Sequence, residues 1–450
     1  MQTPRADPPR PESSAPGRAE RVALALAAVQ TALFVLYFAR SLHPIPRWDF
    51  YDWVTGYLDA SSVSHYLWRL HNEHRLVVNK LLVIADVELL GGRLWPLSCA
   101  GLASLVGWAA IVLRAILRDE EAPRGLRFCI AGGMLFVLFP TYSLDDYTYP
   151  TNLQLTFVTF FFVVAIACLL RAGSSNGWLA ASLATAVAAS LSSANGLLAW
   201  PILLVLAWRL AERRMVLLGV AVAGVATIAL YLVGYAAPGH ASGYMSSATD
   251  LLRFLSYLVA YFGMPWVSVE ALRPLGLAIG LTTLLLATIT VVRLGLGRRI
   301  LERREALALG LLLFAGGTGL LTSFGRMNVG PHPAHRYTIF AIVAQAGLLL
   351  AAMTPLRRLW AADRAKRRIS ILTLAPMPLL LVQQVWVGEF AVDRAVWFAK
   401  LEHALLAGDR RPEITQPIYP DRQRLEYHLS RLAERRIYLY RLDPPGSEGR

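Results

Sequence analysis

Eleven apolar runs separated by short polar links leave this chain few ways to fold. They cover approximately residues 22–40, 94–117, 128–141, 152–171, 178–191, 197–210, 216–236, 273–293, 306–324, 338–354 and 369–388. A helix needs roughly 20 apolar residues to cross a hydrocarbon core of about 30 Å. Several runs meet that length; 128–141, 178–191 and 197–210 are short. The runs are apolar throughout rather than alternating, which excludes an outer-membrane barrel. With 56% hydrophobic and only 16% charged residues among 450, and a mean hydropathy of +0.46, the expected fold is all-α, a polytopic bundle in a membrane.

Charge orders the runs. The net charge of +14 is carried mostly by arginine, in short loops between apolar runs. That placement follows the rule that cytoplasmic loops are basic, and it sets nucleic acid aside as a partner. Two further runs, 76–90 and 251–268, are ambiguous. If neither crosses and residues 1–21 are cytoplasmic, the arginines of 114–127, 209–214, 298–304 and 357–368 all fall on the inner side. If both cross, the loops from 114 to 236 flip outward. The first arrangement is adopted: eleven crossings in the plasma (inner) membrane, N-terminus in, C-terminus out. Asp86 and Glu88 in 76–90 also argue against lipid exposure of that run. The division is then a disordered cytoplasmic tail over 1–21, a bundle over 22–388 with its first outer loop at 41–93, and a small extracytoplasmic helical segment over 389–450. Heavy use of Ala, Leu and Arg suits a GC-rich bacterium. Cys99, Cys129 and Cys168 all lie in apolar runs, so no disulfide or thiolate metal site is expected. There is no P-loop, dinucleotide fingerprint or Ser-His-Asp signal.

Polar residues gather on the outer side, so chemistry is expected there. In "IPRWDFYDWVTGYLD", Asp49 and Asp52 share a helical face. A carboxylate near the membrane surface can act as general base or hold a divalent cation. Spacing alone slightly favours an N-cap and a capping-box-like acid for the pair, and its place in the large outer loop then tips the reading to Asp49 as base with Asp52 as its support. In "HNEHRLVVNK", His71 and His74 do not make the His-Glu-x-x-His zinc pattern. Glu73, His74, Arg75 and Lys80 are placed to meet a substrate, the cations a phosphate. "TYSLDDYTYPTNLQ" adds Asp145 and Asp146, a second acidic pole or a solvated loop. In "SSANG", Asn195 can meet a headgroup, although Asn195-Gly196 reads first as a tight turn. "SFGRMNVGPHPAHRYT" puts Arg326, His332, His335 and Arg336 outside, against the charge rule. A lipid phosphate, or an ion-pair network with the aspartates, offsets them. Residues 421–436 form an amphipathic helix with Leu425, His428, Leu429 and Leu432 on one stripe.

A first crossing, a large outer loop opening on an acidic motif among aromatics at 48–53, and about eleven crossings resemble the GT-C superfamily of membrane glycosyltransferases. The "HNEHR" and "SANGL" stretches also resemble a group of uncharacterised bacterial membrane proteins. The GT-C likeness implies a sugar donor on a polyprenyl phosphate, used at the extracytoplasmic face among membrane lipids. It implies that a first-loop acid, Asp49 or Asp52, is catalytic base or ligand of a divalent cation, Mg or Mn. The chain departs from that pattern in its small C-terminal segment. Two alternatives stay open. A lipid-linked polysaccharide polymerase or ligase would rely on the outer arginines without Asp49. A transporter or flippase would need polar residues at mid-membrane.

Overall fold

The computed structural model describes residues 17–42, 45–236, 247–263, 266, 273–328, 333–360, 362, 368–370 and 377–441. The expectations for the tail before residue 17, for His332 and for residues 442–450 lie outside the described residues. Every regular element within them is a helix: α1 (Arg18–Ser41), α2 (Asp49–Leu58), α3 (Val63–Trp68), α4 (Val77–Leu90), α5 (Trp95–Leu117), α6 (Arg124–Leu138), α7 (Leu144–Thr148), α8 (Leu153–Leu169), α9 (Asn176–Ser190), α10 (Ala199–Arg209), α11 (Arg214–Leu232), α12 (Ala248–Gly263), α13 (Arg273–Leu296), α14 (Arg303–Arg326), α15 (Thr338–Trp360), α16 (Met377–Leu406), α17 (Pro412–Thr415) and α18 (Arg422–Arg435).

Eight of the described segments are long and apolar enough to cross a membrane: Glu20–Ser41, Trp95–Leu117, Arg124–Thr148, Pro150–Leu169, Arg214–Leu232, Arg273–Leu296, Arg303–Arg326 and His335–Trp360. The chain is a multi-pass membrane protein. The run 178–191 becomes α9, whose 15 residues reach only about 22 Å at 1.5 Å per residue. The run 197–210 becomes α10 and the short 3-10 turn before it. The run 369–388 enters α16 at Met377. The bundle core is aromatic at its centre: Phe162 of α8 stacks on Phe314 of α14 at 4.2 Å, and Phe340 of α15 meets Phe314 edge-on at 5.8 Å.

The basic loops meet at one end of the bundle. Arg304 pairs with Asp119, Arg357 pairs with Glu121, and Arg209 donates to the carbonyls of Leu294 and Arg299. This is the grouping the charge pattern required. The α11 helix leaves Arg209's end and finishes with Tyr231 against Arg75, while α13 returns to Leu294 beside Arg209. The α12 helix packs along the first half of α13, with Gly263 and Val259 against Gly276 and Gly280. The α4 helix lies in the opposite layer, where Asp86 caps the start of α5 by accepting from the N–H groups of Arg93 and Leu94 (3.2 and 3.3 Å). Gly91 and Gly92 end α4 with φ of +68° and +66°, and Gly92 has no room for a Cβ beside Ile437.

That opposite layer is a cap with its own hydrophobic core. Phe50, Tyr51, Trp53 and Val54 of α2, with Leu76, Val83, Leu94 and Leu97, pack against Leu401, Leu405, Ile418, Leu425, Leu429 and Leu432. The first loop and the C-terminal segment, expected as separate pieces, therefore fold together. The reason is the long α16, which runs from the bundle into the cap. Gly388 lets it close on the Tyr37 ring, and Tyr37 donates to Glu389 at 3.0 Å.

Candidate functional site

The site forms where the cap meets the bundle. Trp48 precedes α2 with φ 47° and ψ −133°, a strained conformation for an indole residue. It is held because its N–H donates to Ile418 O (2.8 Å) and its indole N–H to Pro417 O (3.0 Å). Trp48 is thus the N-cap residue of α2, Asp49 is its first helical residue, and no side chain caps this end. The N-cap reading of Asp49 fails. Its carboxylate instead faces His71 Nε2 at 3.3 Å, and that contact, with the charge of Arg336, holds it below the usual carboxylate range.

His71 and His74 close a two-residue turn by exchanging backbone hydrogen bonds of 2.9 and 3.0 Å, with Asn72 at φ 51°. The turn sends His71 towards Asp49 and His74 the other way. His74 Nδ1 accepts the backbone N–H of Ala194 at 3.2 Å, so the ring carries its proton on Nε2, 3.5 Å from Glu73 Oε1. Glu73 Oε1 also takes Arg326 Nη2 at 2.9 Å. The "HNEHR" and "SANGL" stretches are therefore one contact. Gly196 is required there because a Cβ would stand 2.0 Å from Ala189 O. Close packing on the end of α9, rather than a free tight turn, explains it.

Arg336 completes the group. It is solvent-exposed, and its charge acts on Asp49, His74, Tyr149 and Asp146. Among the described residues it stacks near Tyr337, 5.3 Å to the ring, and no carboxylate lies within ion-pair distance of it. Beside it Arg47 is sandwiched between Tyr149 and Phe398, 4.5 and 4.1 Å from the rings. Asp145 pairs with Arg394, and with His335, Trp386 and Phe390 these line a cavity of about 240 Å³ between α7 and α16. Trp386 and Phe390 are largely exposed, so the cavity opens on the outer surface of α16.

The chain matches no protein-family model and no curated protein.

Of the residues expected at a site, Asp49, Glu73, His74, Arg326 and Arg336 converge, with Asp145 and His335 on the adjoining cavity. Five others do not join it. Asp52 binds the cap, taking Arg424 Nη2 (2.7 Å) and Tyr419 OH (3.0 Å), with His428 Nε2 at 3.6 Å. Arg75 is 2% exposed and gives its guanidinium to the carbonyls of Trp68, Tyr231 and Val233. Lys80 spends its ammonium on the carbonyls of Tyr66, Leu67 and Arg69. Neither cation is free for a phosphate. Asp146 is 1% exposed with neither oxygen hydrogen-bonded, so it is sealed from any ligand at the surface. Asn195 is half-buried and reaches the site only through its neighbour Ala194. His71, Arg47 and Arg394 were not singled out by sequence for these roles. The consecutive polar run at 71–75 was the one available signal for His71. Asp49 and Asp52 do not share a ligand position, and no group of three metal-binding side chains occurs among the described residues. The residues do not fit a jointly held divalent cation.

Burial lowers the His74 pKa to about 4 despite Glu73. The ring is neutral when folded and titrates near 6.5 when unfolded. Below pH 6.5 the unfolded chain binds the extra proton, so stability falls with falling pH until the folded ring also protonates near 4. Thermal melting between pH 7.5 and 4.5 is expected to fall more steeply for the wild type than for His74→Gln. Equal slopes would reject the assignment.

Proposed function

We propose that this chain is a GT-C-type membrane glycosyltransferase. It has eleven crossings in the plasma membrane, with α9, α10 and α16 added to the eight long spans. The N-terminus is cytoplasmic and the cap extracytoplasmic. It moves a sugar from a polyprenyl-phosphate donor to a lipid or glycan acceptor. The observation that carries this reading is the Asp49–His71 contact, 3.3 Å, beside an arginine that has no carboxylate partner among the described residues.

On this reading the acceptor hydroxyl attacks the anomeric carbon as the bond from that carbon to the phosphate oxygen breaks. The electron pair leaves with the polyprenyl phosphate. The hydroxyl proton passes to the Asp49–His71 pair, within hydrogen-bond reach of a bound acceptor. Arg336 meets the charge growing on the leaving phosphate, and Arg326, oriented by Glu73, stands beside it. The 240 Å³ cavity, lined by Arg394 and His335 together with Trp386 and Phe390, suits a phosphate joined to an isoprenoid. No step is routed through a metal ion.

The test uses the purified chain in liposomes with polyprenyl-phosphate-linked hexoses as donors. Arg336→Gln is expected to lower transfer by about 10²–10³. Transfer unchanged by that substitution, or no donor consumed by the wild type, rejects the reading.

A further inference from the structure

At the opposite end of the bundle lies a second cavity, about 640 Å³, between the ends of α5 and α8 and the start of α14. The length of α14, 24 residues and so about 35 Å, separates it from Arg326 and the candidate site. Five arginines line it: Arg114, Arg118, Arg171, Arg303 and Arg304. Two carboxylates do, Asp119 and Glu302, leaving a surplus of three positive charges (five minus two).

The five cations are not equivalent. Arg304 is buried and committed: it pairs with Asp119, lies 3.5 Å from Glu302 and donates to Thr354 Oγ1 at 2.7 Å. Arg171 donates to Ala167 O at 2.8 Å and lies 5.2 Å from the Trp178 ring. Arg114, Arg118 and Arg303 have no carboxylate partner among the described residues, and all three are exposed. The surplus of charge is therefore the three uncommitted guanidiniums.

An ordinary explanation covers part of this. Arg114 and Arg118 sit at the C-terminal end of α5, where the helix dipole favours a cation. Arg303 is the first residue of α14, where the dipole disfavours one. The carboxylates of that turn, Glu302 and Glu305, pair with Arg304 and Arg299 rather than with Arg303, which lines the same recess. The wall behind the arginines is apolar, with Ile111, Ala167 and Leu307. Three guanidiniums over an apolar wall, at the end of crossing helices, match a phosphate group attached to a hydrocarbon.

We infer that this cavity is a binding site for a phosphate-bearing ligand, filled by the headgroup of an anionic phospholipid held by Arg114, Arg118 and Arg303. The purified full-length protein in a non-ionic detergent is titrated with phosphatidylglycerol or phosphatidylcholine, and retained lipid is counted by native mass spectrometry. Phosphatidylglycerol is expected to be retained selectively. Substituting Arg114→Gln, Arg118→Gln and Arg303→Gln together is expected to weaken retention about tenfold to hundredfold. The corresponding three Lys substitutions are expected to keep most of it. Displacement of the lipid by millimolar inorganic phosphate would support the phosphate site and identify free anions as a second source. Resistance to phosphate would support the headgroup as the ligand. Equal retention of the two lipids by the wild type, or undiminished selectivity in the triple Gln variant, overturns the inference. If that variant does not fold, Ala115→Cys on the cavity wall decides: phosphatidylglycerol must slow its alkylation more than phosphatidylcholine does.

Discussion

Asp49→Asn is expected to lower sugar transfer by about 10²–10⁴, with the protein still folded and inserted. The substitution keeps the size of the side chain and its contact to His71 but removes the proton acceptor. The carboxylate caps nothing, since the N-cap of α2 is Trp48 without a side-chain bond, so little stability depends on it. His71 holds the Asp49 pKa below the ordinary carboxylate value, so the group is ionised at neutral pH. The acid limb of the kcat/KM profile is therefore expected below that of an unperturbed aspartate. His71→Asn should move that limb up towards the ordinary value, because it removes the principal cause of the shift. Asp52→Asn is the contrast. It breaks the contacts to Arg424 and Tyr419 and should loosen α18 towards protease, leaving most of the turnover. Transfer that survives Asp49→Asn but not Arg336→Gln would favour the polymerase or ligase alternative. Equal losses from Asp49→Asn and Asp52→Asn would show that cap geometry, not a base, had been removed.

The bundle was legible because its signals are local. Apolar run length marks a crossing, and arginine position marks which loops share an end. The pairing of Arg304 with Asp119 and Arg357 with Glu121 follows from that grouping. The cap was less legible. Leu425, Leu429 and Leu432 announce an amphipathic helix, but nothing nearby shows that Phe50, Leu76 and Val83 cover them more than 300 residues away. The site was half legible for the same reason. Asp49 and Asp52 lie on one face of one helix, yet their neighbours come from different parts of the chain, His71 for one and Arg424 for the other. Arg75, Lys80, Arg326 and Arg336 have the same chemistry in sequence. Only the fold tells a guanidinium spent on carbonyls from one left facing a recess. Gly196 shows the converse: a correct glycine signal with its cause misread, because the end of α9 that excludes a Cβ is invisible in "SSANG".

Arg75→Met should be among the most destabilising single substitutions in the chain. Arg75 is 2% exposed, and its side chain joins three segments: Trp68 at the end of α3, and Tyr231 and Val233 at the end of α11. Methionine preserves much of the volume against the Trp68 ring, which lies 4.5 Å from the guanidinium carbon. It strands the buried Tyr231 carbonyl and loosens those of the more exposed Trp68 and Val233, at about 1–3 kcal/mol for the buried one and a total on the order of 2–4 kcal/mol. Lysine cannot replace it, since one ammonium cannot span acceptors arranged for a fork. Tyr231→Phe gives a graded comparison. The Tyr231 hydroxyl accepts from the Arg75 N–H (3.0 Å) and donates to Glu73 O (3.1 Å), so its loss should cost about 1–2 kcal/mol. Both substitutions release the turn that aims Glu73 at Arg326 and His71 at Asp49. Transfer should therefore fall in parallel with thermal stability in detergent, more for Arg75→Met than for Tyr231→Phe. A stable, correctly inserted Arg75→Met protein that had lost only phosphate affinity would return Arg75 to the substrate-binding role its sequence first suggested.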